Sequence, residues 1–376
     1  MTVDRTPQPS LPRTAGSLGF AGSPRRRGEG EQERNGVAGV PPWAKSAKSP
    51  KLSLSAPEMM SAKPIFAPRS GLGGDVSLSA IVVGYNRRDL VAGCVRSVLA
   101  DRGDLELEVI VVDNDSHDGT AAMVAEQFPD VRLIASPRNV GYGGGLNQGI
   151  AVARGRYILV LNQDIVLRPG ALTELVAFAG AHPDAGVVGG RLEYEDGRFQ
   201  HSAFRFPDWK QAFFGFFDGL VPLDSEINGR YPDAQLSRPF ETEHLLGACM
   251  LFRREALDQV GLFDSAFFMY YEETDLCVRL HTAGWRNYYL PTARVMHVSA
   301  ASTSAASEQM SVEFHRSQAI FYRRHRGLQG YAVLKAIVWA GTAYRLARSV
   351  RAYLRGRISR DLLRERLVGY WRILWF

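Results

Sequence analysis

Two aspartate-containing motifs directly follow runs of apolar, β-branched residues. Asp113 and Asp115 follow one such run, and Asp164 follows another in LNQDIVL. Carboxylates at the end of a strand can bind a hard cation that bridges phosphates, which makes Asp164 a candidate metal ligand or a turn residue. Asp113 is a candidate hydrogen-bond acceptor for a nucleoside, whereas capping of the next helix by Asp115 or Ser116 would explain part of the same motif.

A glycine-rich run, SPRNVGYGGGLNQGI, spans residues 136–150. Glycine lets backbone approach a ligand closely, and amides at a helix N-terminus favour an anion, so we expect a phosphate here. Two familiar phosphate motifs do not fit. Ile150 stands where a P-loop has lysine, and Leu146 stands where the dinucleotide fingerprint has glycine.

Three acids fall within the first turn of another predicted helix. They are Glu272, Glu273 and Asp275, and Leu276 and Leu280 form the buried stripe of that helix. Acids near a helix N-terminus interact favourably with the helix dipole even where they have no catalytic role. The cluster is therefore a candidate catalytic group or a helix-start signal.

The elements that must position these residues are four consecutive strand-then-helix units, beginning near Ser77. Four successive βα units predict a parallel, doubly wound sheet with helices on both faces. The polar residues fall at the carboxyl ends of the strands, where open α/β sheets bind ligands. His297 follows a later predicted strand, so we expect it at the same edge as a structural histidine or a metal ligand.

The composition divides the chain into three parts. Residues 1–75 are rich in Pro, Ser, Gly and Arg without periodicity, which predicts a disordered extension. Residues 76–315 carry the α/β pattern, with an aromatic-rich, substrate-facing insertion within 192–243. Residues 316–376 hold fourteen Lys and Arg against two acids. This mixture of Arg, Trp, Tyr and Leu at helical spacing predicts a basic amphipathic helical tail on an anionic membrane surface, or a packed C-terminal helix.

Composition also bounds the class of protein. Three dispersed cysteines without a C-x-x-C pair indicate a reducing compartment, and no apolar run has the length of a signal peptide or a spanning helix. We therefore expect a cytoplasmic protein that is peripheral on the inner face of the cell membrane. The net charge of +6 raises nucleic-acid binding as a non-enzymatic alternative, but acidic strand ends would repel phosphates without a metal, so we expect no nucleic-acid partner.

Together these segments resemble family 2 glycosyltransferases of the GT-A fold, particularly their rhamnosyltransferase-type branch. The resemblance covers about residues 78–300 and rests on GYNR, VDNDSHDGT, NVGYGGGLNQGI, LNQD and GACMLFRREALDQVGLFDSAFFMYYEETDLCVRLHTAGW. It implies a Rossmann-like, mostly parallel sheet and an inverting transfer of sugar from a nucleotide-diphosphate donor to an acceptor hydroxyl. By the same resemblance, the donor is dTDP-rhamnose and the acceptor a lipid-linked or cell-envelope glycan.

The resemblance also assigns roles to individual residues. Contacts to the nucleoside would come from Tyr85, Asn86, Asp113 and Asp115, and contacts to ribose and diphosphate from Arg138, Asn139, Gly141 and Asn147. Asp164 would bind Mg2+ or Mn2+ with His297 as second ligand. Glu273 would be the general base, supported by Glu272 and Asp275.

Two departures from the family pattern and one rival class bear on these roles. Asn162 replaces the first acid of the Asp-x-Asp metal motif. Glu272-Glu273 replaces the usual Glu-Asp pair, so the side chain of the expected base is longer. A sugar-phosphate nucleotidyltransferase would need a glycine-rich, basic loop after the first strand, and GYNRRDL lacks those glycines.

Overall fold

The structure, a computed structural model, describes residues 77–217, 220, 225–298 and 307–374. The predicted disordered extension, residues 1–75, lies outside the described residues. All of the described residues belong to one unit, Ala56–Phe376.

Strands and helices alternate through the first half of the described chain and then become irregular. The strands are β1 (Leu78–Gly84), β2 (Leu107–Asp113), β3 (Arg132–Ala135), β4 (Tyr157–Asn162), β5 (Ile165–Leu167), β6 (Ala185–Glu193), β7 (Phe199–Gln200), β8 (Ala203–Phe204), β9 (Phe240–Thr242), β10 (His244–Leu245), β11 (Cys249–Arg253) and β12 (Arg286–His297). The helices are α1 (Arg88–Ala100), α2 (Thr120–Gln127), α3 (Tyr142–Val152), α4 (Ala171–Ala181), α5 (Trp209–Phe216), α6 (Arg254–Val260), α7 (Glu272–Thr282), α8 (Ser307–His325), α9 (Gly327–Leu354) and α10 (Arg360–Leu374).

The main sheet has the strand order β3-β2-β1-β4-β11-β6-β12-β5. Strands β3, β2, β1 and β4 are mutually parallel, and β12 is parallel to β6. Strand β11 runs antiparallel between β4 and β6, and β5 runs antiparallel to β12. The predicted α/β class with a mostly parallel sheet is confirmed, while the antiparallel β11 at its centre was not predicted.

Side-chain alternation in the central strands explains why helices cover both faces. Strand β1 is buried throughout. Its Ile81 and Val83 pack on one face with Leu146 of α3, and Val82 packs on the other face with Val91 of α1. Each fully buried aliphatic side chain contributes about 1.5–3 kcal/mol relative to an exposed one. The two layers therefore fix the strand ends that carry the polar motifs.

The predicted insertion within 192–243 forms β7, β8, α5 and β9, and its described residues include a short 3-10 turn at Glu226–Asn228. Helix α5 begins where the side chain of Asp208 accepts a hydrogen bond of 2.8 Å from the backbone N–H of Gln211. Helix α9 then crosses α5 closely, since a Cβ atom on Gly341 would lie 2.5 Å from the Cβ of Phe216.

The C-terminal helices pack on the α/β unit. Phe321 and Tyr322 of α8 are almost completely buried, and Arg345 of α9 donates hydrogen bonds to the carbonyls of Gly215 and Phe216. Within the described residues, no helix combines the length and apolar character that crossing a membrane requires.

Candidate active site

The loops that follow β1, β2 and β4 are tied together by hydrogen bonds. Asn86 donates its backbone N–H to the hydroxyl of Ser116 at 2.9 Å, and its side-chain oxygen accepts the N–H of His117 at 2.7 Å. The backbone N–H of Tyr85 donates to Gln163 Oε1 at 2.7 Å. Residue Tyr85 is 44% exposed, so its ring remains available to stack on a ligand.

Asp113 and Asp115 lie in the second of these loops. Asp113 is buried and accepts the N–H of Ser116 at 3.3 Å, and Asp115 has left-handed backbone, with φ of 72°. The expectation that Asp115 or Ser116 caps the next helix is wrong. Asp118 instead accepts the N–H of Thr120 at 3.1 Å at the start of α2.

The glycine-rich run begins with a sharp, left-handed residue at the start of α3. Gly141 has φ of 79°, and a Cβ atom there would lie 2.2 Å from the carbonyl oxygen of Phe268. Its neighbour Tyr142 donates its N–H to that same carbonyl at 2.9 Å. Any residue with a side chain at position 141 would therefore push α3 away from the segment that precedes α7.

Asn114 holds this loop in place, and its position between Asp113 and Asp115 is the only sign of that role in the sequence. It is buried and accepts the N–H of Val140 at 3.0 Å, while its amide donates to Asn139 Oδ1 and to the carbonyl of Gly141. Asn139 also accepts the N–H of Gly141 at 2.9 Å. The loop is thus preorganised by amide side chains.

The two other residues expected at the ribose and diphosphate differ in their surroundings. Arg138 is exposed beside the loop. Asn147 donates to the carbonyl of Phe263 at 2.7 Å and accepts its N–H at 3.1 Å. This amide therefore ties α3 to the segment after α6, which is a positioning contact.

Asp164 and His297 meet at the end of the sheet. The Nε2 atom of His297 lies 3.4 Å from Asp164 Oδ1, and both side chains are buried. The other ring nitrogen, Nδ1, lies 3.0 Å from Gln200 Oε1. An N–H on Nδ1 donating to Gln200 leaves Nε2 with a lone pair that faces the carboxylate.

Two facing lone-pair donors of this kind fit a shared cation, and ligating histidines are commonly oriented by a hydrogen bond to their second nitrogen. Within the described ranges, no group of three or more His, Cys, Asp or Glu side chains is arranged to hold a metal ion. A cation here would take one carboxylate and one imidazole from this pair, and donor phosphates are suitable further ligands.

The glutamate pair begins α7 behind a strained turn. Tyr270 and Tyr271 both have left-handed backbone, with φ of 68° and 67°, directly before Glu272 and Glu273. One carboxylate oxygen of each glutamate is buried without a hydrogen-bond partner among the described residues. Burial raises the pKa of Glu273 to about 7, and burial together with the charge of Glu273 raises the pKa of Glu272 well above its usual range.

Tyr142 connects the glutamates to the aspartate. Its hydroxyl donates to the carbonyl of Gly247 at 3.0 Å, and a Cβ atom on Gly247 would lie 3.3 Å from Glu273 Cγ. Burial, followed by the charges of Glu272, Glu273 and Asp164, raises the pKa of this phenol well above its usual range. The charges of all three carboxylates therefore act on one buried side chain at the start of α3.

Asp275 has different partners. It is fully buried and accepts hydrogen bonds from Arg279 at 2.8 Å, from Arg324 at 3.1 Å and from His325 at 2.7 Å. Burial tends to raise the pKa of this carboxyl, but the hydrogen bond from His325 and the charge of Arg279 lower it to about 2. The contacts give Asp275 the role of joining α7 to α8.

Known proteins resemble this chain over the same region. Residues 79–261 match the family model described as Glycosyl transferase family 2. The N-acetylglucosaminyl-diphospho-decaprenol L-rhamnosyltransferase of Mycobacterium tuberculosis strain H37Rv is 33% identical over 237 residues, which are 59% of this chain and 76% of that protein. Rhamnosyltransferase WbbL of Escherichia coli K12 is 26% identical over 228 residues, 58% of this chain and 81% of that protein.

A solved structure has a similar fold. The mannosyltransferase PcManGT from Pyrobaculum calidifontis, solved in complex with GDP-Man and Mn2+, superimposes with a TM-score of 0.50 at 19% identity. The superposition covers 85% of this chain and 91% of the mannosyltransferase. The nucleotidyltransferase and nucleic-acid-binding alternatives are therefore set aside. The chain is a glycosyltransferase with the GT-A fold, and it belongs to glycosyltransferase family 2.

Proposed function

We propose that this chain transfers a sugar from a nucleotide-diphosphate donor to an acceptor hydroxyl with inversion at the anomeric carbon. The observation that carries the proposal is that Asp164 pairs with His297 while the charges of Asp164, Glu272 and Glu273 all act on the buried phenol of Tyr142. Single displacement needs charge neutralisation on the leaving group and a base at the attacking hydroxyl. No protein nucleophile is needed.

Glu273 is the proposed base. It is half-buried, and the pKa of about 7 leaves a large fraction ionised near neutral pH while keeping it basic enough to accept the hydroxyl proton. Glu272 is more deeply buried, and burial together with the charge of Glu273 raises its pKa well above the usual range. Because its side chain is less accessible to an acceptor hydroxyl than that of Glu273, we assign Glu272 as the supporting residue.

Asp164 and His297 would hold Mg2+ or Mn2+, which neutralises the charge that develops on the departing nucleotide diphosphate. The Mn2+ in the mannosyltransferase of the same fold supports this cofactor. The chain itself contributes the orientation of His297 through Gln200. It also contributes the positive end of the α3 dipole at Gly141, where a diphosphate is favoured.

Tyr85, Asn86, Asp113 and Asp115 form the proposed nucleoside side of the site. The loops that carry them are held by the hydrogen bonds between Asn86 and the 116–117 segment. Asn139 and exposed Arg138 extend the same edge toward the diphosphate.

The relatives guide the proposed substrates. Two of them are named rhamnosyltransferases, and one of these is named for an N-acetylglucosaminyl-diphospho-decaprenol acceptor. We take dTDP-rhamnose as the donor and a lipid-linked, cell-envelope glycan as the acceptor. Residues 76–315 would then form the catalytic unit.

Peripheral attachment to an anionic membrane surface is part of the proposal, because a lipid-linked acceptor lies there. Leu328, Trp339 and Val350 of α9 are exposed and recur every eleven residues, so they lie on one side of the helix. Trp371 of α10 is 62% exposed. Exposed arginines lie on both sides of Leu354, where α9 ends and the loop to α10 begins, as expected of a membrane-surface segment.

A donor panel tests the proposal. The purified full chain is given dTDP-rhamnose, UDP-N-acetylglucosamine or GDP-mannose with a prenyl-diphosphate-linked N-acetylglucosamine acceptor, and nucleotide release is measured. We expect acceptor-dependent release of dTDP, and NMR of the product should show an inverted anomeric configuration. If nucleotide is released only from a donor other than dTDP-rhamnose, the donor assignment is wrong. A retained anomeric configuration would exclude single displacement.

A further inference from the structure

We propose that helix α8 is a positioning element for the glutamate pair, holding the strained turn that begins α7 through Ser317, Gln318 and the Asp275 ion pairs. This inference rests on the proposed function, since it assigns a partner to the proposed base. It gives the first C-terminal helix a role in the reaction, independent of any membrane contact.

The turn before α7 needs external support. Two successive non-glycine residues, Tyr270 and Tyr271, hold left-handed backbone, and Tyr271 makes no side-chain capping hydrogen bond to α7. Such conformations persist only when the surroundings determine them, and they recur at active sites. On one side, the N–H of Tyr142 binds the carbonyl of Phe268. The glycine-rich loop therefore supports that side of the segment.

Helix α8 supports the other side. Ser317 donates its hydroxyl to the carbonyl of Met269 at 2.8 Å, and Gln318 donates to the hydroxyl of Tyr271 at 3.2 Å. Both α8 side chains are at least 95% buried, with exposed fractions of 1% and 5%. The ring of Phe321 lies 5.2 Å from that of Tyr271. Polar and aromatic contacts thus converge on Met269 and Tyr271, in the turn that precedes the glutamates.

Charged contacts join α8 to α7 about two turns further along α8. His325 and Arg324 of α8 bind Asp275 Oδ1, while Arg279 of α7 binds its other oxygen. Arg324 also contacts Asp264 at 2.6 Å. The first turn of α7 is therefore held at its start by Gln318 and at its end by the Asp275 cluster. Glu272 and Glu273 lie between these two attachments.

The turnover rate, its pH dependence and thermal unfolding of the full chain test this role. Gln318→Ala and Tyr271→Phe each remove the same hydrogen bond, and Gln329→Ala, an exposed glutamine on α9, is the matched control. We expect kcat to fall about 5- to 10-fold in each variant, the equivalent of one neutral hydrogen bond. The donor KM should stay unchanged, and the midpoint of the acid limb of the kcat profile should shift. The double variant should be no slower than either single variant.

A purely structural role would lower the unfolding temperature without moving the pH midpoint, and that result would overturn the proposal. Wild-type kcat and pH midpoint in both variants, with Glu273→Gln inactive, would also overturn it. Should Gln318→Ala fail to fold, Tyr271→Phe decides by the same measurements, since only a hydroxyl is removed. Full turnover in Glu273→Gln would instead show that the base is misassigned, and the role of α8 would fall with it.

Discussion

The imidazole of His297 faces the carboxylate of Asp164 at 3.4 Å across the seam between β12 and β5. The antiparallel register pairs His297 with Ile165, which directly follows the aspartate. The short β5 therefore brings the LNQD motif to a histidine that is remote in sequence. In the proposed metal site, this pairing would supply a nitrogen ligand, whereas the family's first acidic position is Asn162.

We expect turnover to require a divalent cation at this pair. Asp164→Ala should lower kcat by at least about 100-fold, because it would release the cation that stabilises developing negative charge on the diphosphate. His297→Ala should give a smaller loss, with weaker Mn2+ binding measured by electron paramagnetic resonance. Full turnover in chelator-treated enzyme would show that the pair has another role.

Removing the carboxylate of Glu273 should impair proton transfer from the acceptor without affecting donor binding. Glu273→Gln should reduce kcat by about 10²–10⁴-fold, the range for general acid–base catalysis, while donor affinity stays near wild type. Exposed Glu255→Gln is the matched control. If Glu272→Gln abolishes turnover and Glu273→Gln does not, the base is Glu272.

The pH profile of kcat should follow the raised pKa of Glu273. Burial raises that pKa to about 7, and the base must be ionised to accept a proton. Turnover should therefore increase as pH rises through about 7 and level off above it, and Glu273→Gln should lose this limb. A profile that is flat from about pH 5.5 to 8 would contradict a raised pKa in the working enzyme.

The Asp275 cluster should stabilise the protein in a defined pH range. Its folded pKa of about 2 lies below the unfolded value of about 4, so the stabilisation is complete above pH 4 and is lost as pH falls toward 2. Asp275→Asn should lower the free energy of unfolding at pH 7 by about 2 kcal/mol or more. Denaturant titrations at pH 7 and pH 3 measure this, with exposed Asp130→Asn as control. An equal deficit at both pH values would argue for lost packing.

The exposed stripe on α9 should bind anionic vesicles. Trp339→Ala combined with Leu328→Ala should reduce flotation with phosphatidylglycerol-containing liposomes, because aromatic and aliphatic side chains insert at the interface. Trp209→Ala is the matched control, since that tryptophan is 57% exposed on α5. Point variants are preferable to truncation at residue 315, which would also remove buried Phe321. Unchanged flotation would leave the stripe without a membrane role.

Local patterns were sufficient to predict β1 to β4 and the polar residues at their ends. Alternating burial in a strand and apolar spacing in a helix depend on neighbouring residues, and the structure confirms the buried stripe of Leu276 and Leu280. The insertion of β11 between β4 and β6 depends on pairing between distant segments, which periodicity does not encode.

The candidate site also combines residues that the sequence pattern predicts with contacts that depend on distant segments. Asp275 appears in sequence beside Glu272 and Glu273, but its partners Arg324 and His325 come from a helix about 50 residues further along. Asn114 is inconspicuous between two aspartates, yet its amide organises the glycine-rich loop. Which of several adjacent polar residues faces a ligand depends on contacts that form only in the folded chain.

The central position of β11 also has a consequence for synthesis. Strand β4 ends at Asn162 and its neighbour β11 begins at Cys249, 87 residues later (249 − 162). At about 5–20 residues per second, a ribosome takes roughly 4–17 seconds to make that interval. During it, the apolar YILVLN strand has a partner in β1 but an open hydrogen-bonding edge on its other side. An unpaired strand edge can pair with another chain, so we expect edge-to-edge aggregation of the nascent chain to be a risk during this interval.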